Sequence, residues 1–294
     1  ALAGYSIGDR VVSNAPHVEV ALVPRNLCAR IPDEVSDDQA SFAVVASIGL
    51  QGIRLIAPTI GETIVVSGLG LIGLLAVQIL RAGGCRVIGF DVDAGRVALA
   101  RKYGTEAFDL AAGTDPVATV NELTGGSGAD AVLITASTPD DELISQCAAM
   151  CRKRGRIVLT GVIGLELKRS DFYEKELTLQ VSCSYGPGRY DPAYEEGGLD
   201  YPLPFVRWTA QRNFAAVLEL MRQGRIVTDG LVTDRFPFDA AARAYERLDD
   251  PRAIGILLDF ESATSPWVRT ARTVGTAAPP PVVDGKSIAV IGAG

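Results

Sequence analysis

The amino-acid sequence predicts an α/β protein built on a doubly wound parallel sheet with helices on both faces. Three observations predict it. Strand-like and helix-like segments alternate regularly from Thr63 to Ser184. The strand segments are near-continuous Val/Ile/Leu runs, as strands covered on both faces require. A glycine turn, Gly68-Leu69-Gly70-Leu71-Ile72-Gly73, stands where the first strand hands over to the first helix.

Taken in order, Gly8 to Pro32 carries short β-type runs, Arg10 to Val12 and Val18 to Val23, with turn residues between them. Asp37 to Ile56 reads as one helix, polar at its Asp37-Asp38-Gln39 entry and apolar on every side thereafter, so it is expected to be buried. The alternation then runs through Thr63 to Ser67, Leu71 to Ala82, Arg86 to Phe90, Arg96 to Tyr103, Ala131 to Thr135, Asp140 to Cys151, Arg156 to Thr160 and Leu177 to Ser184. Arg189 to Thr209 breaks the rhythm with Tyr, Pro, Gly and carboxylates, the texture of a functional or disordered loop. A helix over Gln211 to Gln223 follows, then a strand at Leu231 to Thr233, a helix over Asp239 to Leu248 and a strand over Ile254 to Phe260. Ser262 to Lys286, with Ala277-Ala278-Pro279-Pro280-Pro281, reads as a linker, and Ser287 to Ile291 as a fresh strand. The chain opens on Ala-Leu-Ala without Met and stops just after that strand, so it is expected to be a piece of something longer.

The bulk numbers set bounds. At 294 residues the chain exceeds one ordinary core, and two domains are expected. A formal charge of −7 argues against nucleic acid, whose binding needs surplus Lys and Arg to displace counterions. The longest apolar stretch, Ile64 to Leu80, is interrupted by Gly68, Gly70 and Gly73, which excludes it as a membrane span. Cys28, Cys85, Cys147, Cys151 and Cys183 are scattered, odd in number and mostly in apolar runs, which suits free thiols in a reducing, cytoplasmic setting.

The chemistry centres on the glycine turn. It follows a buried strand, opens an apolar helix and precedes a second strand ending in Asp91, the full context of a Rossmann dinucleotide site. Gly68 serves the tight turn, Gly70 lets the amides around Leu71 and Ile72 approach a pyrophosphate, and Gly73 lets the helix pack on the strand. Asp91 is placed to accept hydrogen bonds from the adenosine ribose and would repel a 2′-phosphate, so NAD is expected over NADP; nearby Arg96 is the one residue that speaks for NADP.

Beyond the turn, the chain resembles the medium-chain dehydrogenase/reductase superfamily, the alcohol-dehydrogenase-like proteins. The resemblance spans Gly4 to Phe260 and rests on Gly8-Asp9-Arg10-Val11-Val12, Val23-Pro24-Arg25-Asn26-Leu27 running into Ile31-Pro32-Asp33, Gly61-Glu62-Thr63, and Gly255-Ile256-Leu257-Leu258-Asp259-Phe260. It implies that residues 1–45 are the remnant of a GroES-like β domain, 46–260 the Rossmann domain (with 239–260 packing back towards the β domain), 261–286 a linker and 287–294 the start of a second Rossmann unit. With Ser184-Tyr185-Gly186-Pro187-Gly188-Arg189-Tyr190-Asp191-Pro192 and Val206-Arg207-Trp208-Thr209, the chain is similar to bidomain oxidoreductases fused to a domain of the glucose-fructose oxidoreductase and inositol dehydrogenase type. The resemblance implies a small-molecule substrate of sugar-like or cyclitol character, a covalently fused second oxidoreductase domain and a homo-oligomer.

Where zinc members carry a ligand before the turn, this chain has Phe42-Ala43-Val44-Val45-Ala46-Ser47, and His17 is its single histidine, so catalytic zinc is not expected. Cys147 and Cys151 continue an apolar stripe with Leu143 and Met150 and are read as core on one helix face. Without zinc the hydroxyl proton needs a side-chain acid or base. Mapped onto the superfamily, Ser137-Thr138, Thr160-Gly161-Val162 and Cys183-Ser184-Tyr185 line the nicotinamide side of the cleft. Tyr185 is the first catalytic candidate, with Arg189 and Tyr190 as substrate contacts. The pair Glu195-Glu196 reads as a solvated loop, and Arg207-Trp208 as a packing or subunit contact. Enone or quinone reduction, and a catalytically silent NAD-binding scaffold, are the alternatives.

Overall fold

The computed structural model describes residues 4–6, 8–260 and, for their backbone pairing, 287–292; the expected linker over 261–286 and the last two residues lie outside the described residues. In chain order the elements are β1 (Val11–Ser13), β2 (Cys28–Arg30), α1 (Asp37–Ala40), α2 (Ala43–Ile56), β3 (Thr63–Ser67), α3 (Leu71–Ala82), β4 (Arg86–Asp91), α4 (Ala94–Lys102), β5 (Glu106–Asp109), α5 (Pro116–Leu123), β6 (Ala129–Ile134), β7 (Ser137–Thr138), α6 (Glu142–Met150), β8 (Cys151–Leu159), β9 (Val162–Ile163), α7 (Arg169–Tyr173), β10 (Thr178–Val181), α8 (Pro192–Glu195), α9 (Ala210–Arg222), β11 (Val232–Pro237), α10 (Ala241–Glu246), β12 (Gly255–Phe260) and β13 (Ser287–Gly292).

Six parallel strands form the main sheet in the order β10-β8-β6-β3-β4-β5. This is the Rossmann-like, doubly wound sheet the sequence predicts. Its central strand β3 is buried from Ile64 to Ser67, and both faces are covered. On one face α2, α3 and α9 pack over Ile64, Val66 and Leu133; on the other, α5 and α6 pack over Val65, Val132 and Ile134. The apolar surface removed from water here is the main driving force of the fold, at roughly 25 cal/mol per Å². A separate sheet pairs β11 parallel to β12, with β13 antiparallel on the other side of β12, and α10 covers it. Ahead of the main sheet, β1 and β2 form a short antiparallel ribbon.

Several elements differ from their sequence expectation, each for a local reason. The expected single helix over Asp37 to Ile56 is two helices. A reciprocal capping box, Ser36 with Gln39, starts the short α1, and the chain re-enters a helix at Ala43 with the Phe42 side chain fully buried at the junction. Val18 to Val23 is not a strand: Val20 and Leu22 are exposed, and no partner strand lies beside them among the described residues. Cys151 opens β8 instead of closing α6, so it does not share a helix face with Cys147; both thiols are buried, and burial pushes both pKa values up, Cys151 to about 12. The strand expected over Leu177 to Ser184 ends at Val181, and Ser184 takes a left-handed φ of 46°. The helix expected over Asp239 to Leu248 is a six-residue α-helix between two 3-10 turns. The pair β5 and α5 is absent from the sequence reading. β5 is only four residues, and α5 is announced by its cap alone, with Asp115 accepting from Val117 and Ala118 ahead of Pro116.

The loop over Arg189 to Thr209 is anchored at Tyr194. Tyr194 is fully buried, its hydroxyl donates to Asn26 O at 3.2 Å, and Asn26 Nδ2 donates to Tyr194 O at 2.9 Å. Among the described residues no helix is long and apolar enough to cross a membrane.

The capping box gives a direct test of the helix break. Ser36→Ala removes the acceptor for the Gln39 amide, and a loss of about 1 kcal/mol is expected, read as a lower urea midpoint at unchanged slope.

Candidate active site

The carboxyl ends of β3, β6 and β8 converge on the glycine turn, and backbone meets backbone there. Gly68, at φ +97°, lies so close to Ala136 that an added Cβ would fall 2.5 Å from Ala136 N. A Cβ on Gly73 would fall 2.1 Å from Gly68 O, and one on Gly161 would fall 2.0 Å from Ala136 O. Thr135 Oγ1 donates to Gly68 O at 2.6 Å and closes the turn from the β6 side. Gly70 is different: the nearest atom to its added Cβ is Arg96 Nη1, 3.9 Å away, so its face is open. Gly70 is also the N-cap of α3 and supplies no side chain to the first amides of that helix. An open backbone at an uncapped N-terminus, followed by buried Leu71 and half-buried Ile72, fits a pyrophosphate.

Asp91 closes the other side. It is buried at the end of β4; its Oδ2 accepts from Leu69 N at 2.5 Å and its Oδ1 from Asp93 N at 2.8 Å. These bonds fix the carboxylate beside the turn, and each oxygen keeps a lone pair for a ribose hydroxyl. Arg96 lies in the first turn of α4, its amide capped by Asp93 Oδ1 and its Nη2 donating to Pro251 O at 2.7 Å.

Opposite, the Thr160 and Gly161 amides donate to Ile134 O at 2.9 Å, and Ser137 pairs with Val162 in a two-residue ladder. Ser137 and Val162 are exposed at the strand ends, while Thr160 Oγ1 is buried without a partner against Gly52 of α2. Ser184 lies in the strained turn that carries Tyr185.

Tyr185 is buried, its ring edge-on to Phe214 at 5.1 Å between centroids, and its hydroxyl accepts from Asn14 Nδ2 at 2.6 Å. Burial raises its pKa above the ordinary 10.0, with Arg189 pulling the other way, so the phenol keeps its proton at neutral pH. Its O–H has no acceptor among the described residues. Arg189 Nη1 donates to Glu195 Oε1 at 2.7 Å, and its guanidinium lies 3.9 Å from the centroid of the exposed Tyr190 ring. Glu195 also accepts from Tyr190 N at 3.2 Å, so it is a structural brace and not a solvated loop residue.

Asn14, Gln51, Arg54 and Asn213 were not singled out by sequence, because nothing in their spacing marks them. Asn213 is buried, takes the Arg54 Nε–H at 2.7 Å and gives its own N–H to Tyr185 O at 2.9 Å. Gln51 Oε1 sits 3.5 Å from Asn213 Nδ2.

The fold and this turn are Rossmann-like. Residues 72–198 match the zinc-binding dehydrogenase family. A Mycobacterium tuberculosis protein assigned the name alcohol dehydrogenase D is 34% identical over 66% of this chain and 48% of its own length. D-guloside 3-dehydrogenase of Escherichia coli is 28% identical over 84% of this chain and 68% of its own. The structure of 2R,3R-butanediol dehydrogenase from Bacillus subtilis superposes with a TM-score of 0.68 at 23% identity, over 86% of this chain and 74% of that one. The chain thus spans about half the length of the curated relative first matched. It is similar to the alcohol-dehydrogenase-like members of the medium-chain dehydrogenase/reductase superfamily.

That superfamily implies a dinucleotide and, in many members, zinc. The turn at Gly70 fits the first. For zinc, no group of three or more His, Cys, Asp or Glu is placed to hold a metal ion among the described residues.

The two inner glycines separate structure from binding. Gly70→Ala has room for its Cβ and is expected to melt like the parent while dinucleotide affinity falls about tenfold or more. Gly73→Ala drives a Cβ into Gly68 O and is expected to cost about 1–3 kcal/mol of stability. Paired melts and calorimetric titrations check both.

Proposed function

We propose that this protein is an NAD-dependent oxidoreductase that moves a hydride to or from a hydroxyl or carbonyl carbon of a sugar-like or cyclitol substrate, without catalytic zinc. The observation that carries the reading is the open, uncapped backbone at Gly70 flanked by the fixed carboxylate of Asp91. A dinucleotide held there would supply hydride acceptance and donation through its nicotinamide.

The chain's own residues do the rest. Asp91 holds the ribose and repels a 2′-phosphate. Arg96 spends its Nη2 on Pro251 O. Ser137, Thr160, Gly161, Val162 and Ser184 frame the nicotinamide side. Tyr185 presents a protonated phenol, held by Asn14, that donates to a substrate oxygen and takes the proton back in the reverse direction. The sugar-like substrate is supported by the name of the D-guloside 3-dehydrogenase relative. A fused second oxidoreductase domain, self-association and a cytoplasmic location complete the proposal.

Titration of the protein with NADH and NADPH, repeated with Asp91→Ala, tests the cofactor. NADH is expected to bind more tightly, and the variant to lose that preference with about a tenfold or greater loss of NADH affinity. Binding of neither nucleotide would sink the reading.

Tyr185→Phe is expected to lower kcat about 100-fold or more with NADH affinity intact. Asn14→Ala tests its partner through a pH profile. The Asn14 hydrogen bond lowers the Tyr185 pKa, so removing it should move the alkaline limb to higher pH; an unmoved limb would show that Asn14 only packs.

A further inference from the structure

The turn that carries Tyr185 is held by a chain of hydrogen bonds that begins on α2. Ser184 and Gly186, on either side of Tyr185, have φ of 46° and 110°. A non-glycine residue persists in the left-handed region only where its surroundings over-determine it. Here the surroundings are two side-chain amides: a Cβ on Gly186 would fall 2.7 Å from both Asn213 Nδ2 and Gln51 Oε1. Asn213 is fully buried on α9, and its Nδ2 donates to Tyr185 O at 2.9 Å.

Which end of the Asn213 amide faces Tyr185 is decided on its far side, where Arg54 Nε lies 2.7 Å from Oδ1. A guanidinium N–H only donates, so the atom facing it is the oxygen, and the NH₂ is thereby turned to Tyr185 O. Arg54 is itself held in place. The Trp208 indole lies between two guanidinium groups, with Arg54 Cζ 3.4 Å from the ring centroid on one face and Arg207 Cζ 3.8 Å on the other. The segment carrying Trp208 is tied on both sides: Val206 O accepts from Arg212 Nη1 at 2.7 Å, and Ala210 N donates to Pro187 O at 2.9 Å, two residues past Tyr185. With no donor at the Arg54 Nε position, Asn213 Oδ1 would be left buried and unpaired. That costs more than the bond to Tyr185 O returns, so the amide would move to another donor and release the Tyr185 carbonyl.

We propose that Arg54 is a positioning residue for Tyr185: by donating to Asn213 Oδ1 it keeps Asn213 Nδ2 on the Tyr185 carbonyl and fixes the turn that aims the phenol. Phe214 holds the ring, Asn14 the hydroxyl, and Arg54, through Asn213, the backbone between them. The consequence for turnover rests on the reading of Tyr185 as the acid; the placement of the ring does not.

The test is ¹⁹F NMR of the full chain labelled with 3-fluorotyrosine, in which the Tyr185 signal, one of eight, is assigned with Tyr185→Phe. Arg54→Gln places an amide nitrogen on the third side-chain carbon, where the parent has Nε, and Arg54→Met places a methyl there. Both variants lose the charge and the stacking on Trp208, so the difference between them isolates the N–H. The Tyr185 signal is expected to shift or broaden in Arg54→Met and to keep its parent position in Arg54→Gln. The signal of Tyr103, whose hydroxyl donates to Asp229 O on a different part of the fold, is expected to stay in place in both and reports that the chain is folded. Asn213→Asp keeps an oxygen for Arg54 but has no N–H for Tyr185 O, and is expected to move the Tyr185 signal as Arg54→Met does. An unmoved Tyr185 signal in Arg54→Met, or equal displacement in the Gln and Met variants, would overturn the proposal. In the turnover assay used for Tyr185→Phe, kcat is expected to fall about tenfold in Arg54→Met with KM little changed, and to recover in Arg54→Gln. An unchanged kcat in Tyr185→Phe would remove the acid role while the NMR result still decides the placement.

Discussion

The structure depends on one steric constraint: the strand ends of β3, β6 and β8 approach each other with no side chain between them. Gly68 against Ala136 N, Gly73 against Gly68 O and Gly161 against Ala136 O are all too close for a Cβ. Because the backbones meet, α3 starts directly over the end of β3, and its first amides point away from the sheet at Gly70. The same closeness lets the Asp91 carboxylate, one strand over, reach Leu69 N. The candidate site is therefore the outer surface of a junction whose inner surface is core. This is why substitutions three residues apart, at Gly70 and Gly73, are separable into binding and stability.

This junction was legible in the sequence because both of its determinants are local. A glycine spacing and an apolar period change can be read from a dozen residues, and α3 occupies the span its periodicity predicts, Leu71 to Ala82. Elements whose identity is set elsewhere were not legible. β5 is a strand because β4 offers it a ladder, not because Glu106-Ala107-Phe108-Asp109 has a β pattern. Val18 to Val23 has the composition of a strand and lacks a neighbour to pair with among the described residues. The break after Ala40 hides in an apolar helical run because the burial of Phe42 against Gly255, two hundred residues away, decides it.

The site's polar interior shows the same division. Tyr185 could be chosen by its place after a strand end, but its partners come from the ribbon after β1, from α2 and from α9. Asn14 holds its hydroxyl, and Asn213 holds its carbonyl and passes on to Arg54. Each such bond contributes only about 1 kcal/mol net, while leaving any member unpaired in the interior costs more, so the group holds together as a set. Tyr194 and Asn26 repeat the pattern at the next turn of the loop, exchanging side-chain and backbone bonds in both directions. The loop over Arg189 to Thr209 reads as irregular because its order comes from these distant partners.

The ring of Tyr185 lies in the core and its hydroxyl at the boundary, and the two facts are compatible. Packing on Phe214 fixes the ring angle, and Asn14 satisfies one lone pair, so the direction of the O–H is constrained without being used. Burial keeps the proton on the oxygen. A catalytic acid needs this combination of a fixed ring, a retained proton and a free donor. A tyrosine that served only to brace the Gly186 turn would need the first of these alone. The bond from Asn14 therefore separates the two roles: it adds little to a ring already held by Phe214, but it lowers the proton affinity that burial raises.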